Sequence, residues 1–202
     1  MKRELLLAVG VVASWACRPD KPSPAPSNEV VVERAARPGG VAVPCRITES
    51  TILTGQGIGA LTIGLAVAEV RRRCGIVQDT IVLGEEAEEE RHLLVDLQHD
   101  TVTATIVDDV VWRIEVNGPA IRTADSLGVG STLRDLLRSS GAHGAEGGAG
   151  LFVLAPSHCG LSFHLDYEVK DDEHKENWSL ADLERLPNSS RVDYVLVSGC
   201  QS

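Results

Sequence analysis

The hydrophobic pattern of this chain changes period twice, in the same order both times. In "LTIGLAVAEVRRRCG", Leu61 to Gly75, the residues Val67, Val70 and Cys74 fall at i, i+3 and i+7. In "LGVGSTLRDLLRSSG", Leu127 to Gly141, Leu133, Leu136 and Ser140 do the same. Each spacing draws a narrow apolar stripe along a helix of about three turns, which needs an apolar surface to lie on. Both helices open after a glycine, Gly64 or Gly130, and run to another, Gly75 or Gly141, suited to a left-handed cap. Thr132 with Asp135 predicts a capping box on the second helix. Ala66 stands at that place in the first, where only Glu69 remains to face the helix dipole.

Behind each helix the period drops to two. "IVQDTIVL", "LLVDLQ", "TVTATIV" and "VVWRIEV" follow the first helix, runs rich in β-branched residues of which the last two alternate in part, and "LFVLA", "CGLSFHLDY" and "RVDYVLV" follow the second. Asp108 and Asp109 predict a tight hairpin. "GEEAEEER" and "GAHGAEGGAG" read as surface insertions. Ser179 to Leu186 reads as a helix capped by Ser179 with Asp182 and stopped by Pro187.

The two runs are copies. At an offset of 66 residues Leu61 lies on Leu127, Gly64 on Gly130, Glu69 on Asp135, Arg72 on Arg138 and Gly75 on Gly141, without a gap. The closing strands also match, "VWRIEVNG" on "VDYVLVSG", at an offset of 81. The expectation is an α+β domain over residues 44–202, made of two similar helix-plus-antiparallel-sheet halves, about 44–118 and 119–202, packed as one domain. That length suits a single core.

The first 43 residues have a different character. Lys2 and Arg3 precede an uncharged run, Leu5 to Ala13, much shorter than the roughly 20 apolar residues that span a bilayer. Residues 1–16 therefore read as a signal peptide. Small residues three places and one place before Cys17 suit cleavage there. Bacterial lipoprotein signals end similarly, and that resemblance implies lipid attachment at Cys17, with ordinary secretory cleavage as the other reading. Residues 17–43, with four prolines between Arg18 and Ser27, read as a disordered tether. The expected location is the bacterial cell envelope, lipid-anchored and facing the periplasm or the cell surface.

Composition narrows the partners. Aromatic residues are 3% of the chain and the formal net charge is −10. Burial must then come from aliphatic side chains, and the charge repels phosphate backbones, so nucleic acid is excluded as a partner. Cys45, Cys74, Cys159 and Cys200 form an even set in an exported domain, which argues for disulfides rather than metal, since no pair is spaced as CxxC. Three pairings are open. If the halves fold alike, Cys45 joins Cys74 and Cys159 joins Cys200. The crossed alternative, Cys45 with Cys200 and Cys74 with Cys159, would staple the halves together.

Chemistry is sparse. "GVGST" opens a helix but lacks the lysine of a phosphate loop. Ser131 has no GxSxG context, His158 and His164 are six apart on one expected strand, and the acid run Glu85 to Glu90 lacks the alternation of a Ca²⁺ loop. A candidate binding corner remains at Arg122, Thr123 and Asp125, beside the second helix. Its structural reading is a loop tied to itself, with Asp125 accepting backbone hydrogens. No catalytic residue, metal or cofactor is expected.

"GLAVAEVRRRCG" and "GSTLRDLLRSSG" resemble the glycine-helix signature of the small outer-membrane lipoproteins of barrel assembly and of β-lactamase inhibitory proteins. That resemblance implies helix-plus-sheet repeats that bind proteins and catalyse nothing. This chain departs from the assembly lipoproteins in lacking their Met-Thr pair after the glycine. From about Ile47 to Cys200, "GIGALT", "WRIEV", "GVGSTLRDLL", "CGLSFHL" and "LPNSSRVDYVLV" follow the order of a family of bacterial envelope lipoproteins of unknown function. The function expected is a non-catalytic, lipid-anchored envelope protein acting through an unidentified protein partner. The alternative is a small-ligand-binding protein or hydrolase using the 122–131 loop.

Overall fold

A computed structural model describes residues 45–200 except 47, 49–50, 85–87, 99, 139–140, 148–149 and 171–176. Residues 1–44, where a signal peptide, lipid attachment at Cys17 and a tether are expected, lie outside the described residues. Three two-residue strands, β1 (Leu53–Thr54), β2 (Gly57–Ile58) and β3 (Leu61–Thr62), pair into a small sheet ahead of helix α1 (Val67–Arg73). Strands β4 (Gly75–Leu83), β5 (Glu89–Asp96), β6 (Thr101–Val107) and β7 (Val110–Val116) follow as an antiparallel meander. After helix α2 (Leu133–Leu136) come β8 (His143–Gly147), β9 (Gly150–Leu154) and β10 (Leu161–Leu165). The short β11 (Asn177–Trp178), helix α3 (Leu180–Leu183) and β12 (Val192–Val197) complete the chain.

The expectation of an α+β domain in two helix-plus-sheet halves is corrected here. The helices hold seven, four and four residues, while nine strands form one continuous antiparallel sheet in the order β11-β8-β9-β10-β12-β7-β6-β5-β4. The fold is sheet-dominated. The apolar stripes at residues 67–74 and 133–140 pointed to longer helices, but each ends early. Cys74 is already extended, at φ −112° and ψ 149°, and β4 begins at Gly75, so Gly75 is no left-handed cap. Gly141 does lie in the left-handed region, at φ 78°.

What the sequence copies do share is a set of backbone hydrogen bonds within this single sheet. Gly64, at φ 78°, donates to the Val111 carbonyl at 2.7 Å, and Gly130, at φ 85°, donates to Val192 at 2.6 Å. Val111 donates to Leu65 and Val192 to Ser131, and Val67 donates to Asp109 as Leu133 does to Ser190. The glycines are needed because a side chain at that φ is strained. All six bonds obey the offsets of 66 and 81. The central ladder obeys them too: Val195 pairs with Val116 and Val197 with Ile114, pairs that exchange at the offset of 81, while Leu196 opposite Glu115 maps onto itself. A pseudo-two-fold axis therefore passes through Glu115 and Leu196.

Core residues take one parity of each strand. Leu93 and Val95, Val102 and Ala104, Ile114 and Val116, Val195 and Val197, and Leu161, Phe163 and Leu165 are all buried on one face. Helices α1, α2 and α3 add Val67 and Val70, Leu133 and Leu136, and Leu183 to the same core, and the small sheet adds Leu53, Ile58 and Leu61. Burial of such side chains supplies the main stabilisation, at about 1.5–3 kcal/mol each. The hairpin between β6 and β7 turns on Asp108 and Asp109, at φ 50° and 58°, the left-handed pair that a tight primed turn requires.

Candidate functional site

Among the described residues, the loop from Arg122 to Ser131 and the face of the large sheet opposite the core both carry polar groups within reach of solvent. The loop is closed by Arg122. Its carbonyl accepts from the Leu53 amide at 2.7 Å. Its guanidinium donates from Nε to the Pro119 carbonyl at 3.0 Å, from Nη1 to the Ser126 carbonyl and Ser131 Oγ, and from Nη2 to the Val129 carbonyl at 2.8 Å. A guanidinium has five donor hydrogens in a planar fork, and these contacts hold it to the loop.

Thr123 and Asp125 are brought together with it. The Thr123 hydroxyl donates to Asp125 Oδ1 at 2.6 Å and accepts from the Leu127 amide at 2.9 Å, and Asp125 Oδ2 lies 3.1 Å from His158 Nε2. Burial acts to raise the Asp125 carboxyl, but the Thr123 hydroxyl, a backbone hydrogen and the nearby imidazole outweigh it, leaving the carboxyl below its usual range. The acid sits between hydroxyl and imidazole. A catalytic triad needs the imidazole in the middle. Ser131 Oγ accepts from Arg122 and from the Gly128 amide, and among the described residues no histidine bonds it.

A cavity of about 560 Å³ lies against this loop, lined by Arg122, Asp125, Ser126, Ser131, Asp135 and Arg138 among others. Its charged groups are committed to the protein. Asp135 serves the Thr132 capping box and meets Arg138 at 3.3 Å. Arg122 and Asp125 both line this cavity, Thr123 bonds Asp125, and these hydrogen bonds fit the structural reading of the corner, a loop tied to itself.

The four cysteines lie in two pairs at bonding distance, Cys45 with Cys74 and Cys159 with Cys200, with Cα separations of 4.9 and 5.2 Å. His158 and His164 have different partners: Asp125 for the first, and Asp193 at 2.6 Å for the second, whose ring stacks on Tyr194 at 4.3 Å.

The second region escaped the sequence reading. Opposite the core, one register runs across eight strands: Gln78, Leu94, Thr103, Glu115, Leu196, Ser162, Leu154 and His143. Leu94, Leu196 and Leu154 are apolar and stand outside the core cluster, half-buried. A T-shaped contact joins Phe152 to His164 on the same face, with ring centroids 5.0 Å apart. The signal for this face is the second parity of "TVTATIV" and "VDYVLV", which holds threonines, Tyr194 and Leu196 rather than charges. At one end of the sheet β4 presents Val77, Ile81 and Leu83 at 61%, 62% and 73% exposure. Beside it is a second cavity, of about 390 Å³, lined by Val82, Leu83, Gly84, Glu88, Glu90, His92 and Arg113.

Among known proteins, no family model and no curated protein matches this chain. Among solved structures, the uncharacterized protein yfeY from Escherichia coli is similar, with a TM-score of 0.53 and 17% sequence identity. The match covers 73% of this chain and 99% of that one. At that identity the likeness is one of fold alone.

Proposed function

We infer that this protein is a lipid-anchored, non-catalytic component of the bacterial cell envelope that acts by contacting another protein. The observation that carries the reading is the large sheet, which buries one face in the core and leaves aliphatic and aromatic side chains on the other. Half-exposed Leu94, Leu154 and Leu196 in a row with polar Gln78, Thr103, Glu115, Ser162 and His143, and Phe152 on the same face, have the mixed character of a protein-binding face rather than that of a cleft for a small molecule. Two disulfide-paired cysteine sets agree with export. The uncharged run before Cys17 and the proline-rich segment after it support anchoring through that cysteine.

Two measurements test this. Mass spectrometry of the mature N-terminus should find an acylated Cys17, and an unmodified or internal start rejects anchoring. Leu196→Glu should abolish crosslinking to the partner in intact cells while leaving the melting temperature unchanged. Crosslinking that survives this change rejects the sheet face as the contact.

A further inference from the structure

We propose that the outer edge of β4 is a docking site for an extended segment of a partner protein, one in which apolar residues alternate with lysine or arginine, added to the sheet as a further strand. This rests on the protein-contact reading above and names a partner chemistry for it. The chain itself shows how the equivalent edge is treated elsewhere. β8 is the counterpart of β4: each follows a glycine-turn helix and opens the outer side of its meander. The edge of β8 is covered. Asn177 and Trp178 of β11 pair with Ala145 and Gly144, and a Cβ on Gly144 would stand 2.8 Å from that of Trp178 and 3.1 Å from Leu183 Cδ2. No described strand pairs with the outer side of β4.

An uncovered edge is a template for further pairing, and proteins usually blunt it with brevity, lysine, proline, a bulge or an inward-pointing charge. β4 has a register shift near its start, between Ile76 and Gln78, but it is not short and carries neither lysine nor proline. It runs nine residues as "GIVQDTIVL", and Val77, Ile81 and Leu83 are more than half exposed. Its one charge, Asp79, is bound by Arg71 and Arg91. Main-chain pairing supplies affinity in such an addition, and alternate side-chain positions supply selectivity. Those positions are mixed here: exposed Ile81 and Leu83 call for apolar residues, while the cavity at the far end of β4 holds Glu88 and Glu90. Glu90 meets His92 at 3.0 Å and Arg113 at 3.5 Å, whereas Glu88 forms no ion pair among the described residues. A second copy would bring the same acids and a chain of net charge −10, so a basic partner segment fits and self-pairing does not.

The test uses the full chain and three nine-residue peptides: alternating valine and lysine, alternating valine and glutamate, and the lysine peptide N-methylated at every second residue. The lysine peptide should slow amide hydrogen exchange across residues 76–84, and the other two should not. Ile81→Ser with Leu83→Ser should weaken that binding by roughly tenfold or more, with an unchanged melting temperature. Lack of protection in β4, equal protection by the N-methylated peptide, or protection that grows with protein concentration alone overturns the proposal. A photo-crosslinking residue at Leu83 and another at Leu196, compared in intact cells, separate the two readings. Crosslinks from Leu196 alone overturn the β4 edge and leave protein contact standing, and crosslinks from neither overturn both.

Discussion

Gly55 and Gly64 differ in what a methyl group would meet. A Cβ on Gly55 would stand 1.7 Å from the Cys159 carbonyl oxygen, a backbone atom that cannot swing away. One on Gly64 meets nothing within 4 Å, but the residue sits at φ 78°. Gly64→Ala therefore costs only left-handed strain, about 1–2 kcal/mol, while Gly55→Ala forces the segment around the Cys159 disulfide to move and costs more. Urea unfolding of the two variants should rank them in that order, and the reverse order would mean that the β1–β2 turn does not pack on Cys159. Asp79 makes a prediction of the opposite kind, in pH. Its carboxyl is held below the usual range first by a hydrogen bond from Arg91; burial is the next largest effect and opposes it, and the charges of Arg91 and Arg71 together outweigh that opposition. A lowered folded value means that this contribution is complete above the ordinary aspartate value, about 3.9, and is lost as the pH falls through the lowered one. Acid unfolding of Asp79→Asn should show a shallower loss of stability below that pH than the parent chain.

At the scale of elements, the two helix starts form an internal control. Thr132 has φ −88° and ψ 158°, and its side chain closes a capping box with Asp135. Ala66 has φ −63° and ψ 140°, the same extended region, with no side-chain bond. Thr132→Ala should cost about 1 kcal/mol and Ala66→Ser should gain about 0.5 kcal/mol, both read from thermal or urea unfolding. The gain is the smaller because Glu69, the residue that would complete the box, already bonds Arg72 and Arg73. This is also where the legibility of the sequence divides. The strands with clear alternation, around Leu93, Val102, Val111, Val153, Phe163 and Val195, form as expected, because period-two burial leaves its mark on every second residue. The Asp108-Asp109 hairpin was legible from turn chemistry. β8 was hidden inside "GAHGAEGGAG", since Gly144 packs by having no side chain. β1, β2 and β3 are too short to show a period. Helix length misled because the stripe at Cys74 reflects a residue paired with Cys45, not a third helical turn. At the Arg122 corner, the sequence placed the three residues in one loop, but it did not reveal that backbone carbonyls would take up the guanidinium.

For the whole molecule, the pseudo-two-fold axis at Glu115 and Leu196 decides what the disulfides do. Cys45–Cys74 lies wholly before the axis in the chain and Cys159–Cys200 wholly in the later part, with separations of 29 and 41 residues. Neither bridges the central β7–β12 ladder, so the middle of the sheet is held by hydrogen bonds and the shared core alone. Peptide mapping without reduction should recover these two linkages, and a Cys45–Cys200 or Cys74–Cys159 peptide would contradict the fold. Loop closure of these lengths stabilises by roughly 3 to 4 kcal/mol each in the chain-entropy view. Because the two loops share no residues, their losses should nearly add. Removing both would then cost an amount comparable to the entire stability of an ordinary domain, about 5–15 kcal/mol. Cys45→Ser with Cys74→Ser, or Cys159→Ser with Cys200→Ser, should each give a folded chain with a lowered melting temperature. The chain lacking all four cysteines should lose its cooperative thermal transition, and a fourfold variant that melts like the parent would show that the core and the sheet need no staples.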